Sequence, residues 1–323
     1  MSAWASLRPR APARGRVSTE VSRGDLILRG LCLGAGLLVL LTLADLVYEI
    51  VRGAAPAINK YGLGFVGHTT WAPNFKHFGA AVMLYGTAVT SAMALLIAGP
   101  LSVAIGIYLA MLAPRAVRAV LGPLVEMLAA VPSVILGFYG IIIFAPFVAK
   151  HVEAPLHSIL GWTGLFGTPQ QTGVSIFTAS VILSVMIVPI IASLTRDLFL
   201  SVPSELRDGA EALGATRWEV IRGIVLPTTF GGIVSAVMLG LGRALGEALA
   251  VALTIGGGTV INHDLYQTGN TLAAQIALQI QFTVNQMHGH ALYYLALILL
   301  VIGVVTNLLA RLIARRYSAV AGQ

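Results

Sequence analysis

The stretch Gly242-Arg243-Ala244-Leu245-Gly246-Glu247-Ala248 lies near the middle of an apolar run from about residue 230 to 255. A run of this length crosses a bilayer as a helix, because a crossing needs about 20 residues at ~1.5 Å rise per residue. Arg243 interrupts the run, although an arginine at membrane depth costs at least ~2.5–3.5 kcal/mol on insertion scales. Glu247 follows one helical turn later, so a continuous helix places both side chains on one face. The stretch therefore predicts a transmembrane helix that carries an ionisable pair.

The pair Arg243 and Glu247 has two physical interpretations. A structural ion pair would partly cancel its own desolvation cost and would need no other role. Alternatively, Arg243 is a fixed cation on the path of an anion, and Glu247 holds it in place. Ionisable residues inside membrane spans generally mark substrate pathways, which favours the second interpretation. Arginine also suits an oxyanion, because its planar fork donates two parallel hydrogen bonds.

The composition is that of an all-α integral membrane protein. Hydrophobic residues make up 57% of the 323-residue chain and charged residues only 10%, with a mean hydropathy of +0.87. A soluble domain carries about 25% charged residues. The net charge of +7 is spread between the apolar runs, which indicates membrane topology and membrane lipid as the surroundings, not nucleic acid as a partner.

Apolar runs predict six transmembrane helices, over residues 26–50, 79–112, 117–148, 174–194, 230–255 and 291–312. We expect Pro132 to interrupt the third span. Residues 1–25 are rich in Arg and Pro and predict a basic, disordered cytoplasmic tail, so that residues 26–323 form the membrane domain. Of the 20 Lys and Arg residues, fifteen fall in the tail and the start of the first span (Arg29), the turn at residues 115–118, residues 195–227 and the C-terminus. The positive-inside rule therefore predicts that both termini are cytoplasmic.

Residues 195–227 form a loop that is far longer than a connection between two spans needs. We expect Ser204 to N-cap a first short helix and Gly214 to end it in a left-handed conformation. Thr216 and Glu219 have the spacing of a capping box for a second helix, and Pro227 precedes re-entry into the membrane. The pattern predicts a rigid helical pair that presents a surface to a cytoplasmic partner.

This loop resembles the coupling motif of ABC importer permeases, which reads Glu-Ala-Ala, three residues, Gly, nine residues, Ile, one residue, Leu-Pro. Asp208-Gly209-Ala210 stands in place of Glu-Ala-Ala. Gly214, Ile224, Leu226 and Pro227 then follow at the family's spacing. The resemblance implies that Asp208, Gly209, Ala210, Gly214, Leu226 and Pro227 couple the chain to an ATPase.

Three further stretches resemble phosphate importer permeases of the PstC type: residues 129–140, 242–247 and 307–316. The resemblance covers the chain from about residue 26 to its end. It implies a type I ABC importer permease fold in the bacterial inner membrane, with several passes. It also implies a heterodimer with a related PstA-type permease, two copies of a cytoplasmic PstB-type ATPase, and an extracytoplasmic phosphate-binding protein that delivers phosphate.

No nucleotide, metal or cofactor motif accompanies these features. The chain contains no Gly-x-x-x-x-Gly-Lys-Ser/Thr pattern, so a partner must bind ATP and supply the energy. It contains no zinc-binding spacing of Cys and His and no protease signature such as His-Glu-x-x-His. We therefore predict a transport subunit, without a cofactor, that is not an enzyme.

The predicted substrate path contains Arg243, Glu247 and Ser133. Pro132 frees a backbone carbonyl about one turn back, and Ser133 beside it either lines the path or belongs to a plain packing kink. Sulfate is nearly isosteric with phosphate, so a permease for sulfate, molybdate or phosphonate remains an alternative. A self-sufficient secondary transporter is a further alternative, but the loop at residues 201–227 argues against it.

Overall fold

The structure is a computed structural model that describes residues 23–321, and its regular secondary structure within that range is helical. Six of the described helical segments are long and apolar enough to cross a membrane: Gly24–Tyr61, Ala81–Leu112, Ser133–Thr163, Ile176–Leu200, Arg217–Gly246 and Gln286–Ala314. The predicted number of spans is thereby confirmed. Residues 1–22 of the predicted basic tail lie outside the described residues. The cytoplasmic location of both termini stays a prediction.

The chain divides into two units, Met1–Glu49 and Ile50–Gln323. The described part of the first unit is the N-terminal portion of helix α1 (Arg23–Tyr61), which is rich in leucine. The second unit begins within α1 and contains all the other helices. These are α2 (Gly64–Gly67), α3 (Ala81–Ile107), α4 (Arg115–Ala129), α5 (Ser133–Tyr139), α6 (Ala145–Val148), α7 (Ala154–Leu160), α8 (Ile176–Leu200), α9 (Ser204–Ala212), α10 (Arg217–Val220), α11 (Leu226–Gly246), α12 (Leu249–Ile255), α13 (Leu272–Gln279) and α14 (Gln286–Ala321).

Helix α8 is the centre of the second unit, with 78% of its most apolar window buried. It packs against α3, α11, α12 and α4. Ala94 and Ala98 lie one turn apart on α3 and are fully buried in the same cluster as Ile187 and Ile191 of α8. Small residues at such contacts let helix backbones approach closely, which is how helices associate in lipid.

A buried carboxylate ties the third span to the start of α8. Glu153 is fully buried, and its Oε1 accepts hydrogen bonds from Ser175 Oγ (2.9 Å) and Thr178 Oγ1 (3.2 Å). Ser175 in turn N-caps α8 by accepting the Thr178 N–H. Burial, together with the carboxylates of Glu153 and Asp264, raises the pKa of the nearby Tyr266, so this buried phenol stays neutral.

The predicted third span over residues 117–148 is wrong at both ends. The amphipathic helix α4 ends at Ala129, and the membrane span runs from Ser133 to Thr163. Pro132 has a non-helical backbone (φ −59°, ψ 133°), and a proline restricts the residue before it to extended conformations, so the chain breaks here rather than kinks. Beyond the break, residues 149–160 are helical, although the predicted third span ended at residue 148.

Gly86 lets α3 touch the segment that precedes α13, and this contact predicts a large effect on stability. A Cβ at Gly86 would collide with the backbone carbonyl of Asn270. Next to it, Thr87 Oγ1 accepts the Leu272 N–H at 3.0 Å. We therefore expect Gly86→Ala to lower the melting temperature of the purified protein, because a backbone carbonyl cannot yield as a side chain does.

Gly36 of α1 provides a control for this prediction, because it lies inside a helix, does not precede a proline, and has no atom from other parts of the chain within 4 Å of its Cβ position. Gly36→Ala should leave the melting temperature unchanged or raise it, since alanine is favoured over glycine in a helix by about 1 kcal/mol. Thermal denaturation in detergent, followed by size-exclusion chromatography, compares the two variants. Equal stability of both would contradict the close approach at Gly86.

Candidate functional site

Arg243 lies in the last turn of α11 and borders an open cavity of about 610 Å³. From α11, the lining residues Ser235, Met238, Leu239, Gly242 and Arg243 recur at helical spacing, so they share one face. The Arg243 side chain is exposed in the isolated chain. Its cation therefore faces open space in this chain, as the pathway interpretation requires.

The opposite wall of the cavity comes from α14, which packs against α11. Its lining residues are Gly303, Thr306, Asn307, Ala310, Arg311 and Ala314, again one helical face. The cavity thus holds two arginines, Arg243 and Arg311, and no carboxylate is among its lining residues. The Thr306 hydroxyl already donates to the Ile302 carbonyl at 2.7 Å. An excess of guanidinium donors over acceptors makes this wall suitable for an anion.

Glu247 does not share a helical face with Arg243, and that prediction is wrong. Helix α11 ends at Gly246, and the Glu247 backbone is extended (φ −70°, ψ 118°). The helix resumes as α12, where the Ala250 N–H donates to Glu247 Oε1 at 3.4 Å. Within the described chain, Arg243 and Glu247 form no salt bridge with each other.

The break before α12 has a local cause. Gly242 and Gly246 each lower helix propensity by about 1 kcal/mol relative to alanine, which weakens the end of α11. The carboxylate of Glu247 then finds an amide at the start of α12, where helix N-termini favour negative charge. Non-helical backbone at membrane depth is tolerated where it is buried in protein or lines a cavity.

Ser133 is the first residue of α5, directly after the break at Pro132. It does not line the cavity of Arg243 and Arg311. The helix that it begins packs against α12: a Cβ on Gly137 of α5 would collide with the side chain of Leu253. Helix α5 therefore contacts α12, the continuation of the broken fifth span, and the place of Ser133 on the path stays a prediction.

The predicted coupling loop, residues 195–227, contains two short helices, α9 and α10, on a packed base. Asp208 and Gly209 are exposed on α9, whereas Ala210 packs against a cluster that includes Phe199 and Val225. Apolar side chains also point away from this base: Leu206, Leu213 and Trp218 are 50%, 91% and 60% exposed. An exposed apolar surface on a loop of this kind is typical of a protein-binding site.

The predicted turn between α9 and α10 is confirmed, and one cap is wrong. Gly214 has φ +91°, in the left-handed region, and Thr216 and Glu219 form both hydrogen bonds of the capping box. Ser204 is not the N-cap of α9 but its first residue, and Pro203 precedes it without a capping hydrogen bond. Proline fixes φ near −65° and here (φ −52°, ψ 135°) sets the chain direction before the helix.

The end of the coupling loop runs into the fifth span without a break. Leu226 and Pro227 are the first residues of α11, which follows α10 and the π-helical turn Ile221–Val225 directly. Leu226 packs against the same base as α9. Together these segments form one span, Arg217–Gly246, with the coupling end and Arg243 near opposite ends of it.

Asn307 and Arg311 are the site residues that sequence reasoning missed. Both lie within the stretch 307–316 that carries the family resemblance, and they are one helical turn apart. Arg311 was counted only with the cytoplasmic charges. The i, i+4 spacing of an amide and an arginine at the end of a span was the available signal. Both line the same cavity as Arg243, although they lie on a different helix, and only the tertiary structure shows this.

The chain is similar in sequence to one family of transport proteins. A family described as "Binding-protein-dependent transport system inner membrane component" matches residues 102–319. The chain is 39% identical over 302 residues to the phosphate transport system permease protein PstC of Mesorhizobium japonicum, covering 92% of each chain. It is 38% identical to the protein of that name from Haemophilus influenzae, over 89% of this chain and 92% of the other. Identity to PstC 1 of Mycobacterium tuberculosis is 36%, over 94% and 96%.

Solved structures of ABC transporters share the fold. A chain of a bacterial alginate ABC transporter, crystallised with an alginate-bound periplasmic protein, matches with a TM-score of 0.59 and 18% identity, over 94% of this chain and 98% of that chain. A chain of the MetNI methionine ABC transporter in an inward-facing conformation matches with a TM-score of 0.52 and 22% identity, over 74% and 94%. At these identities the likeness concerns the fold alone.

Proposed function

This chain belongs to the family of binding-protein-dependent transport system inner membrane components, and we propose that it forms part of the path by which an ATP-driven importer moves inorganic phosphate across the bacterial inner membrane. The observation that carries the proposal is the cavity of Arg243 and Arg311, which has two guanidinium groups and no carboxylate among its lining residues. The relatives named above are phosphate permeases by name. A guanidinium fork fits the oxygens of a phosphate group.

Three donors follow one another along this path. Arg243 lies on α11, and Asn307 and Arg311 lie one turn apart on α14. An anion that leaves Arg243 meets the Asn307 amide and then a second guanidinium, so it need not cross an apolar gap in one step. Shared donors keep each binding step weak enough for release, as conduction through a selective path requires. Glu247 acts here through the backbone break that it caps, not as an ion-pair partner of Arg243.

The cavity is open on one side, and we assign that side to a second permease. In this proposal a PstA-type chain closes the path as the other half of a heterodimer. Two copies of a PstB-type ATPase dock on the coupling loops, and an extracytoplasmic phosphate-binding protein delivers the substrate. The chain itself is a transport subunit, and ATP hydrolysis belongs to the ATPase partner.

The continuous fifth span connects the ATPase contact to the cation. Residues 217 and 243 are roughly 40 Å apart along a helix that rises ~1.5 Å per residue. Because α9 packs on the same base as Leu226, a displacement of the coupling helix moves the start of α11. A rigid helix transmits that displacement to Arg243, which changes the shape of the cavity that it borders.

Uptake of radiolabelled phosphate tests the proposal. Cells that lack other phosphate importers should take up phosphate at low concentration only when this chain is expressed with its ATPase, second permease and binding protein. An excess of sulfate, molybdate or phosphonate should not compete. Arginine alone does not distinguish these oxyanions, so we assign the choice to the binding protein. Chain-dependent uptake of sulfate or molybdate, without phosphate uptake, would show that the substrate is another oxyanion.

A further inference from the structure

A second group of arginines lies far along the chain from Arg243, beside the coupling helix. They border a cleft of about 350 Å³ between the end of α3, the amphipathic helix α4, and helices α9 and α10. The polar side chains that line it are Arg118, Arg207, Arg217, Asp208 and Glu211. The proposed phosphate path does not use this cleft.

Two of these arginines are anchored side by side. Arg118 Nη2 donates to the Ala110 carbonyl at 2.7 Å, and Arg207 Nη1 donates to Met111 Sδ at 3.6 Å. Ala110 and Met111 are consecutive residues in the π-helical turn that follows α3. The two guanidinium groups, which come from α4 and α9, are thus held at neighbouring points of one short turn. Like charges at such a place repel unless an anion lies near them.

Each of these two arginines also has a buried nitrogen that donates no hydrogen bond within the described part of the chain. The Nε atoms of Arg118 and Arg207 are both buried and have no hydrogen-bond partner. An unsatisfied buried donor costs about 1–3 kcal/mol, and more when it is charged. Among the described residues, neither arginine forms a salt bridge with Asp208 or Glu211, although both carboxylates line the same cleft. The cleft therefore contains three arginines against two carboxylates, and within the described chain Arg118 and Arg207 form no salt bridge with either carboxylate.

We propose that this cleft binds a phosphate group, held by Arg118 and Arg207. The surroundings favour the headgroup of an anionic phospholipid. The cleft is lined by the exposed Leu112, and α4 exposes Leu121 three residues after Arg118, so apolar side chains that suit an acyl chain lie beside the arginines. Basic pockets between membrane helices are known to hold anionic headgroups. Free inorganic phosphate offers the same chemistry from the aqueous side, so the experiment must distinguish the two sources.

A phosphate group bound in the cleft would restrict the motion of α9 relative to α3 and α4. A phosphate group bonded to Arg207 links α9 to α4 and to the end of α3, all within the second unit. The coupling helix would then move together with α3, rather than on its own. This inference concerns ligand binding and does not depend on which substrate the importer carries.

Native mass spectrometry of the complete complex tests the proposal. The delipidated complex is incubated with phosphatidylglycerol, with phosphatidylcholine, or with millimolar inorganic phosphate before phosphatidylglycerol is added. We expect the wild type to retain one phosphatidylglycerol more per copy of this chain than an Arg118→Gln/Arg207→Gln variant, whose affinity should fall at least tenfold. The wild type and this variant should retain equal amounts of phosphatidylcholine. Displacement of the lipid by inorganic phosphate, measured in an Arg243→Met background, would assign the cleft to free phosphate instead.

Arg115 and Arg222 provide a matched control, since they lie on α4 and at the end of the coupling loop but do not line the cleft. Arg115→Gln/Arg222→Gln removes the same charge and should retain the lipid as the wild type does. An Arg118→Lys/Arg207→Lys variant keeps the charge without the guanidinium fork and should lose part of the affinity for phosphatidylglycerol. This variant replaces the Gln variant in the test if the Gln variant does not assemble. Equal retention by the wild type and both cleft variants, without any effect of phosphate, would overturn the proposal. So would a loss confined to the ATPase subunit, which would assign the cleft to a protein carboxylate.

Discussion

The double replacement Arg243→Met with Glu247→Gln is expected to lower phosphate uptake roughly 10- to 100-fold while leaving the chain in the membrane. A hydrogen bond to a charged group contributes about 1.5–3 kcal/mol, and about 1.4 kcal/mol is a factor of ten in rate. If the two residues served only as a buried ion pair, removing both would be close to neutral. The structure favours a large loss, because Arg243 borders the open cavity and forms no salt bridge with Glu247.

The single variants separate the two residues. Glu247→Gln alone should have a small effect, because a Gln Oε1 is able to accept the Ala250 N–H as the carboxylate does. Arg243→Lys should lose most of the activity, since a point charge on a flexible stem does not replace a bidentate fork. Arg311→Met should resemble Arg243→Met if the two arginines share the anion. Radiolabelled phosphate uptake, corrected for protein in the membrane, gives each value. Normal uptake by the double variant would remove Arg243 from the path.

Local patterns account for the parts of this structure that the sequence predicts well. The six spans follow from apolar runs, since a bilayer requires each crossing to satisfy its own backbone. Gly214 and the capping box at Thr216 involve residues within one turn of each other. Such features depend on backbone sterics and on hydrogen bonds between neighbours, so they can be predicted without knowledge of the tertiary structure.

The candidate site depended more on tertiary structure. An apolar run does not reveal where a helix breaks, so the interruption at Glu247 was not predicted. Hydropathy likewise merged α4 with the third span, although its amphipathic face belongs at a membrane surface. Arg243 and Arg311 line one cavity because α11 packs against α14, and no local pattern encodes that packing. The sequence predicted Arg243 as a site residue, whereas Arg311 was found only from the lining of the cavity.

Gly214→Val is expected to uncouple ATP hydrolysis from transport. Gly214 has φ +91°, which a β-branched residue tolerates poorly, and a Cβ there would meet no atom within 4 Å. The cost therefore falls on the backbone of the turn between α9 and α10, and α9 should lose its orientation. Gly209→Ala is the matched control, because Gly209 lies within α9 with open space around its Cβ position. Alanine there raises helix propensity and restores the family's residue, so coupling should persist.

Reconstituted complexes in proteoliposomes measure both sides of this coupling. Gly214→Val should retain basal ATPase activity, which belongs to the partner, but lose phosphate uptake at least tenfold. Asp208→Lys should act in the same direction, since it reverses the charge of the exposed coupling surface. Asp208 also lines the arginine cleft, so its effect combines two causes, whereas Gly214 does not line that cleft. Uptake at the normal rate in Gly214→Val would mean that the turn does not orient the ATPase contact. Loss of uptake in Gly209→Ala as well would mean that α9 tolerates no change, and that the left-handed turn is not the specific cause.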